Sequence, residues 1–362
     1  MHDHELKARL AAALTSVVNP RVGKDVISAG MVTSIEVEDG GAVRIAFVLD
    51  SQDPASLVRE TRKAAQEVEG VTSVKVDVRT PAPAAQPTPK VVPPPTPKAF
   101  PNLGRVVAIS SGKGGVGKST VAVNLAAAMA SRGARVGLMD ADIYGPNVPR
   151  MLGLLGEEPP ISADRRILPL EAHGIKAISL GSMIPRDTAT IWRGPIITKI
   201  IQQFLADVAW GQLDWFFVDL PPGTGDAQLS LVQNVQVAAG IIVTTPQEVA
   251  VGDALRGARM FEKVGVPLLG IVENMSGFVC AHCGERTDIF GRGGGRRLAE
   301  ELGVPLLAEV PLQARVQELG ESGTPVVLAE PDSPASRALM GMAEQVERRI
   351  AETAAAGPAV AG

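Results

Sequence analysis

Ser110-Ser-Gly-Lys-Gly-Gly-Val-Gly-Lys-Ser-Thr120 is the part of the sequence that determines how this chain folds. It matches the phosphate-binding pattern G-x-x-x-x-G-K-S/T over residues 112–119. Residues 105–110 before it are largely apolar and typical of a buried strand, and residues 119–130 after it carry apolar side chains at helical spacing. A strand, a glycine-rich loop and a helix in this order predict an ATP site.

The residue types in this loop are those that phosphate binding requires. Glycines let backbone N–H groups surround phosphate oxygens without a Cβ clash, and the start of the following helix adds partial positive charge. Lys118 is predicted to reach the β- and γ-phosphates of ATP, and the Ser119 hydroxyl to bind Mg²⁺. A glycine-rich turn that binds nothing is the alternative. The predicted nucleotide-binding residues of the loop are Gly112, Lys113, Gly114, Gly115, Val116, Gly117, Lys118, Ser119 and Thr120.

A second lysine, Lys113, comes directly after the first glycine of the pattern. The run Lys-Gly-Gly-Val-Gly-Lys-Ser resembles the deviant Walker A motif of the MinD/ParA-like ATPases, in which this early lysine reaches across a dimer to the partner's nucleotide. The resemblance implies ATP between two subunits and catalytic roles for Lys113 and Lys118. A solvated loop lysine is the alternative for Lys113.

The composition is that of an ordinary globular protein. The chain has 362 residues, 45% hydrophobic residues and a net charge of −4, with no general basic character to suggest nucleic-acid binding. It has no apolar run long enough to span a membrane, and its first residues lack the apolar segment of a signal peptide. We therefore predict a cytoplasmic protein with neither nucleic acid nor membrane as a partner. The 2 cysteines are too few for a disulfide framework.

Three segments follow from the patterning, namely a small α+β domain over residues 1–80, a linker over 81–101 that holds nine prolines, and an ATPase domain over 102–362. The run Val18–Val32 resembles the small domain of iron-sulfur assembly proteins, although Asn19 stands where that family often has Asp. Residues 1–80 contain no cysteine, so we expect a role in partner docking, with a purely structural appendage as the alternative. The elements predicted in this domain are helices over 5–18 and 53–68 and strands over 31–38, 41–49 and 71–78.

From residue 105 onward, apolar runs of strand length alternate with helical patterns. This alternation predicts an α/β fold with a doubly wound, mainly parallel sheet, and functional residues at the carboxyl ends of its strands. The further predicted strands are 135–139, 175–180, 215–220, 240–245 and 268–272.

Acidic residues follow two of these strands. Asp219 ends a fully apolar run and matches a Walker B acid that holds Mg²⁺. Asp140 and Asp142 resemble the switch I acids of this ATPase class, which implies that Asp142 orients the attacking water and that Asp140 supports the metal. Gly223 lies where a flexible backbone N–H can sense the γ-phosphate. The alternative for each Asp is a carboxylate that only caps a turn.

Asn274 lies in Glu273-Asn-Met-Ser276, which is predicted to follow a strand. Its amide has both a donor and an acceptor with which to read a base edge, and the family resemblance implies a contact to adenine. A turn asparagine is the alternative.

Cys280-Ala-His-Cys283 is the second decisive feature. The C-x-x-C spacing brings two thiolates within reach of one metal, whereas structural zinc and iron-sulfur clusters usually need four ligands. Two chains related by a two-fold axis can supply four thiolates to one bridging [4Fe-4S] cluster. A shared zinc site, with or without His282, and a redox dithiol stay open, although we expect His282 to face solvent.

Together these motifs resemble the Mrp/ApbC family of iron-sulfur cluster carrier ATPases. The resemblance implies a homodimer that binds ATP, carries a labile [4Fe-4S] cluster and passes it from a cluster assembly scaffold to apo iron-sulfur proteins with slow ATP hydrolysis. The alternative is a MinD/ParA-like positioning or partitioning ATPase with a dimer-bridging zinc site. An electron donor similar to nitrogenase iron protein fits less well, because its cysteines are well separated. The last twenty or so residues are expected to be disordered.

Overall fold

A computed structural model describes residues 2–356 apart from 39, 51, 81–96, 144, 182–193, 224, 226–227, 230–231, 233–234 and 281. The chain divides into two compact units, an N-terminal unit (Met1–Pro93) and a C-terminal unit (Pro94–Gly362). Most of the predicted proline-rich linker, residues 81–96, lies outside the described residues.

The N-terminal unit packs two helices against a three-stranded sheet. Strand β4 is central, antiparallel to β3 and parallel to β5. The predicted end of the first helix at residue 18 is wrong: the helix stops at Leu14, because Val17 turns into the core and its carbonyl oxygen accepts the N–H of Val26. The elements are α1 (His2–Leu14), β1 (Val18–Asn19), β2 (Lys24–Asp25), β3 (Val32–Glu38), β4 (Ala42–Val48), α2 (Ser56–Gln66) and β5 (Ser73–Arg79).

The asparagine that departs from the family pattern is explained by a contact with Asp53. Asn19 is buried, and its Nδ2 donates to Asp53 Oδ1 at 2.9 Å. The Arg21 Nε donates to the same oxygen at 2.6 Å. The hydrogen bond from Arg21 and, to a smaller extent, that from Asn19 lower the pKa of Asp53 to about 2. An aspartate at position 19 would place a second negative charge against Asp53, so asparagine suits this loop.

The C-terminal unit is built on a nine-stranded sheet with helices around it. Its elements are β6 (Arg105–Ser111), α3 (Lys118–Ser131), β7 (Val136–Asp140), α4 (Val148–Met151), β8 (Leu170–Ala172), β9 (Ile175–Ser179), α5 (Gly194–Asp207), β10 (Trp215–Asp219), β11 (Ala239–Thr244), α6 (Glu248–Lys263), β12 (Leu268–Val279), β13 (Arg286–Thr287), α7 (Gly294–Leu302), β14 (Leu306–Leu312), α8 (Ala314–Glu321), α9 (Val326–Ala329) and α10 (Pro334–Ala356).

The order of the strands confirms the predicted doubly wound sheet. It runs β13-β12-β11-β6-β10-β7-β9-β8, and β14 pairs with β12 beside this path. All pairs are parallel except β8 with β9 and β13 with β12. Strand β10 is buried along its whole length, and most residues of helix α3 are buried. The buried apolar residues form two clusters, so the sheet has a core on each face. Strands β6, β10 and β7 are neighbours, which brings their carboxyl ends together.

The C-terminal helix corrects the expectation of disorder. Helix α10 continues to Ala356 and packs against α3 and β14. Its apolar face is buried in the main core, through Ala335, Leu339, Met342, Ala343, Val346 and Ile350. In the described part of the chain, no helix is both long and apolar enough to cross a membrane.

Candidate nucleotide site and cysteine turn

The phosphate-binding loop joins β6 to α3, as its sequence predicts. Gly117 has a φ of +79° and is the residue from which α3 begins, and Gly115 has a φ of +80°. At Gly112 the constraint is space, because a Cβ there would lie well under 3.0 Å from the backbone of Asp253 in α6. The loop thus depends on glycine for two separate reasons, left-handed backbone and close packing.

Lys118 and Ser119 meet the acid at the end of β10. Lys118 Nζ lies 2.6 Å from Asp219 Oδ1, and Ser119 Oγ donates to Asp219 Oδ2 at 2.6 Å. All three side chains are buried, Asp219 completely. Asp219 and Ser119, the two residues predicted to hold Mg²⁺, are therefore adjacent, and the Lys118 ammonium is paired with the Asp219 carboxylate. This donor set fits a magnesium ion.

Asp140 and Asp142 shape the turn after β7. Asp140 Oδ1 accepts the Asp142 N–H at 3.0 Å, and its Oδ2 accepts the Val148 N–H at 3.2 Å. Asp142 Oδ1 accepts the Gly145 N–H at 3.2 Å. The strand register sets Asp140 directly opposite Asp219. Both acids thus cap the turn, and Asp140 also lies on the neighbouring strand to the predicted metal ligand.

The two strand-end carboxyls are perturbed by burial. Desolvation, followed by the charge of Asp219, raises the pKa of Asp140 to about 8. Desolvation also raises the pKa of Asp219, against the opposing effect of Lys118. A cation between these strands would favour the ionised form of both carboxyls.

The raised pKa of Asp140 predicts a pH-dependent stability of the nucleotide-free protein. Asp140 holds a proton in the folded protein that the unfolded chain loses near pH 3.9, so Asp140 alone should lower the unfolding free energy from about pH 4 to pH 8, by at most about 1.4 kcal/mol per pH unit. The raised pKa of Asp219 adds a contribution of the same sign. Urea unfolding at pH 5, 6.5 and 8 measures this slope. Asp53 titrates below this window. An equal slope in Asp140→Asn would contradict the assignment.

Gly223 and Lys113 are two further residues predicted to act on the nucleotide. Gly223 has a φ of +93°, and its N–H, predicted to sense the γ-phosphate, donates to the Ser111 carbonyl oxygen at 2.9 Å. Lys113 is partly exposed, and its carbonyl oxygen accepts from the Ser111 hydroxyl at 3.0 Å. The roles of both residues stay predictions.

Asn274 lies within a strand, which corrects the prediction that it follows one. Strand β12 continues to Val279, and Asn274 Nδ2 donates to the Val116 carbonyl oxygen at 2.9 Å. A Cβ at Gly117 would collide with the same amide nitrogen. The Asn274 amide N–H therefore holds the phosphate-binding loop in place. A contact between Asn274 and the adenine base stays a prediction.

A pocket of about 460 Å³ opens beside the loop. Gly117, Thr120 and Asn274 form one wall, and the end of β14 forms another, with Pro311 in the strand and Gln313 directly after it. The polar and apolar surfaces in this pocket suit a nucleoside attached to phosphates in the loop.

The two cysteines form a turn directly after β12. The Cys280 N–H donates to the Glu285 carbonyl oxygen at 2.9 Å, and the Gly284 N–H donates to the Cys280 carbonyl oxygen at 2.8 Å. The backbone N–H groups of Cys283 and His282 hydrogen-bond the Cys280 sulfur and lower the pKa of its thiol. Cys280 is partly exposed, Cys283 is exposed and both are free thiols. The turn is preorganised for a thiolate.

Two thiols are the metal-binding side chains that the chain brings together at this turn. Among the described residues, no group of three or more His, Cys, Asp or Glu side chains could hold one metal ion. His282 is exposed, as predicted. Two thiols are fewer than the four ligands that structural zinc sites and iron-sulfur clusters usually have.

No role was predicted from the sequence for three polar residues that lie between the phosphate-binding loop and the cysteine turn, namely Glu273, Ser276 and Arg286. Glu273 is completely buried, and it accepts hydrogen bonds from Ser276 Oγ and from the Gly295 N–H, both at 2.6 Å. The only signal in the sequence was a charged residue at the end of an apolar run, next to Asn274.

Comparison with known proteins identifies the family. The family described as NUBPL iron-transfer P-loop NTPase matches residues 102–347, and a second, described as iron-sulfur cluster assembly protein, matches residues 7–78. The chain belongs to the iron-transfer P-loop NTPase family. This confirms the resemblance drawn from the motifs, in the ATPase segment and in the small domain before it.

Relatives support the same family over nearly the whole chain. A Deinococcus radiodurans protein named iron-sulfur cluster carrier protein is 45% identical over 344 residues, which cover 94% of this chain and 95% of that protein. An Arabidopsis thaliana protein named iron-sulfur protein required for NADH dehydrogenase, mitochondrial, is 46% identical over 248 residues, which cover 68% of this chain and 79% of that one.

Two solved structures share the fold of the C-terminal unit. A nucleotide-binding protein from Archaeoglobus fulgidus, solved in complex with ADP, is 38% identical, with a TM-score of 0.57 over 64% of this chain and 90% of that one. The cell division ATPase MinD of Pyrococcus furiosus shares the fold at 23% identity, with a TM-score of 0.52 over 68% of this chain and 99% of that one.

Proposed function

We propose that this protein is an ATP-dependent iron-sulfur cluster carrier that holds a [4Fe-4S] cluster across a homodimer and transfers it to apo-proteins. The observation that carries the proposal is the cysteine turn, which presents two free thiols directly after the strand that contacts the phosphate-binding loop, with backbone N–H groups directed at the Cys280 sulfur. Two such turns related by a two-fold axis provide the four thiolates that the cluster needs. The family and the name of the Deinococcus radiodurans relative support cluster transfer.

The nucleotide site is proposed to bind ATP with Mg²⁺. Ser119 and Asp219 would hold the metal, Lys118 the phosphates, and the pocket beside Asn274 the nucleoside. Asp142 would orient the attacking water, and Lys113 would act on the partner's nucleotide. The resemblance to cluster carrier ATPases implies that hydrolysis is slow.

Residues 1–80 are proposed to dock a cluster assembly scaffold or the recipient apo-proteins. Support comes from the match of residues 7–78 to iron-sulfur cluster assembly proteins. The N-terminal unit has no cysteine with which to hold a cluster. We therefore assign cluster binding to the C-terminal unit.

No observation favours the positioning or partitioning alternative. Such ATPases need a DNA-binding surface or a C-terminal amphipathic membrane helix, whereas the apolar face of α10 is buried against the core of its own unit. The similarity to MinD extends to the fold alone.

Anaerobic reconstitution tests the cluster proposal. The wild-type chain is expected to bind about two iron atoms and two sulfides per chain, with the visible absorption of a [4Fe-4S] cluster and the mass of a dimer. Cys280→Ala and Cys283→Ala should each lose the iron, and His282→Ala should retain it as a matched control in the same turn. Zinc without sulfide, or equal iron in the cysteine variants, would show that the proposal is wrong.

A further inference from the structure

One strand connects the phosphate-binding loop to the cysteine turn. At Asn274, β12 donates a hydrogen bond to the loop carbonyl of Val116, and six residues later it ends in the turn that begins at Cys280. Six residues of chain span at most about 20 Å. The same strand is thus in direct contact with both proposed sites.

The strand is irregular between these two contacts. Met275 has a φ of +56° and Gly277 a φ of +75°, and the pairing with β14 changes register between Asn274 and Phe278. A methionine in the left-handed region costs about 1 kcal/mol, so the surrounding contacts must hold this bulge in place. Bulges in strands often turn a side chain towards a functional site.

A buried carboxyl group fixes the start of this bulge. Glu273 Oε1 accepts from the Ser276 hydroxyl and Oε2 from the Gly295 N–H at the first turn of α7. A Cβ at Gly295 would lie 2.8 Å from Glu273 Cβ, so the helix approaches the strand as closely as its backbone allows. Glu273 therefore ties the bulge to the amino end of a rigid helix.

The other end of the bulge is tied to the residue that follows the cysteine turn. Arg286 Nη2 donates to the Ser276 hydroxyl at 3.4 Å, and its side chain lies across Gly277, where a Cβ would be 2.6 Å from Arg286 Nε. The Arg286 backbone pairs with Val279, next to Cys280. Ser276 thus lies between the Glu273 carboxyl and the Arg286 guanidinium.

We propose that Glu273, Ser276 and Arg286 are positioning residues that make the cysteine turn respond to nucleotide at the phosphate-binding loop. Phosphate binding adjusts the loop, the Val116 hydrogen bond carries that adjustment to Asn274, and the tied bulge transfers it to the far end of β12. This inference rests on the proposed function for the identity of the two ligands. The coupling itself concerns the protein alone, so it can be tested without a cluster.

The rate of thiol alkylation measures the coupling directly. The full chain, reduced and stripped of iron and zinc, is treated with iodoacetamide without nucleotide, with Mg-ADP or with Mg-ATP, and modification of Cys280 and Cys283 is followed by peptide mass spectrometry. We expect nucleotide to change the Cys280 rate by about fivefold or more, the range of allosteric couplings. Ser276→Ala and Arg286→Ala should reduce that change to less than about twofold while nucleotide affinity, measured on the same samples, persists.

Arg296→Ala is the matched control, since Arg296 is an exposed arginine of the same unit that pairs with Glu309 at 3.2 Å. It should respond to nucleotide as the wild type does. Equal Cys280 rates in nucleotide-bound and nucleotide-free wild type, or a full response in both Ser276→Ala and Arg286→Ala, would overturn the inference. Failure of iron binding with an intact thiol response would instead overturn the proposed function and leave the coupling standing.

Discussion

Lys118→Met is expected to abolish nucleotide binding and to destabilise the C-terminal unit. The side chain is buried, and its Nζ lies 2.6 Å from Asp219 Oδ1. Methionine keeps most of the apolar stem but removes the charge that phosphates require, so we expect ADP affinity to fall by about 100-fold or more. Isothermal titration calorimetry with Mg-ADP measures this loss, and retained affinity would contradict the phosphate-binding assignment.

The same substitution leaves a buried carboxyl group without its cation. Removing one partner of a buried ion pair costs about 3–5 kcal/mol, and here Asp219 must take up a proton to stay buried. The penalty should therefore be larger at pH 8 than at pH 5 in urea unfolding.

A double variant separates the two effects. In Lys118→Met/Asp219→Asn no charge is left unpaired, and the Ser119 hydroxyl keeps an acceptor in the asparagine. Its stability should recover towards that of the wild type, whereas nucleotide binding should remain absent. A double variant less stable than Lys118→Met alone would show that the ion pair does not account for the loss.

Local sequence was sufficient to predict the fold and to select the residues of the two candidate sites. The phosphate-binding loop, the apolar run ending in Asp219 and the C-x-x-C spacing each lie within about ten consecutive residues, so the pattern contains the whole feature. The alternation of strands and helices predicted the parallel sheet, since strands buried on both faces are continuous apolar runs.

Features that depend on distant partners could not be predicted. Glu273 accepts the N–H of Gly295, 22 residues later, and Asn19 donates to Asp53, 34 residues away. Neither partner leaves a periodic signal, and an isolated Glu or Asn is as typical of a turn as of a network. The order of helix α10 was not predicted for the same reason, because this helix is stabilised by packing on α3 rather than by its own sequence.

Among the glycine-to-alanine substitutions in the loop, each of which adds one methyl group, Gly112→Ala is expected to lower the stability most. The added Cβ would lie well under 3.0 Å from the carbonyl carbon of Asp253 and the nitrogen of Ala254, both backbone atoms of α6. A flexible side chain could move away, but helix backbone can be displaced only as a unit. We expect a loss of about 3 kcal/mol or more, as for severe overpacking, and a midpoint lowered by roughly 6–12 °C in thermal unfolding.

Two neighbouring glycines are matched controls that separate close packing from backbone strain. At Gly114 a Cβ would have no neighbour closer than 4.0 Å, and Gly115 has open space but a φ of +80°. Gly114→Ala should therefore leave the stability of the nucleotide-free protein nearly unchanged, and Gly115→Ala should lower it by about 1–2 kcal/mol through strain alone. Because Gly112 lies against α6 while Gly117 lies against Asn274 of β12, the loop is held from both sides. If all three variants unfolded at the same temperature, the loop would not be packed against α6, and its position would have to be set by β12 alone.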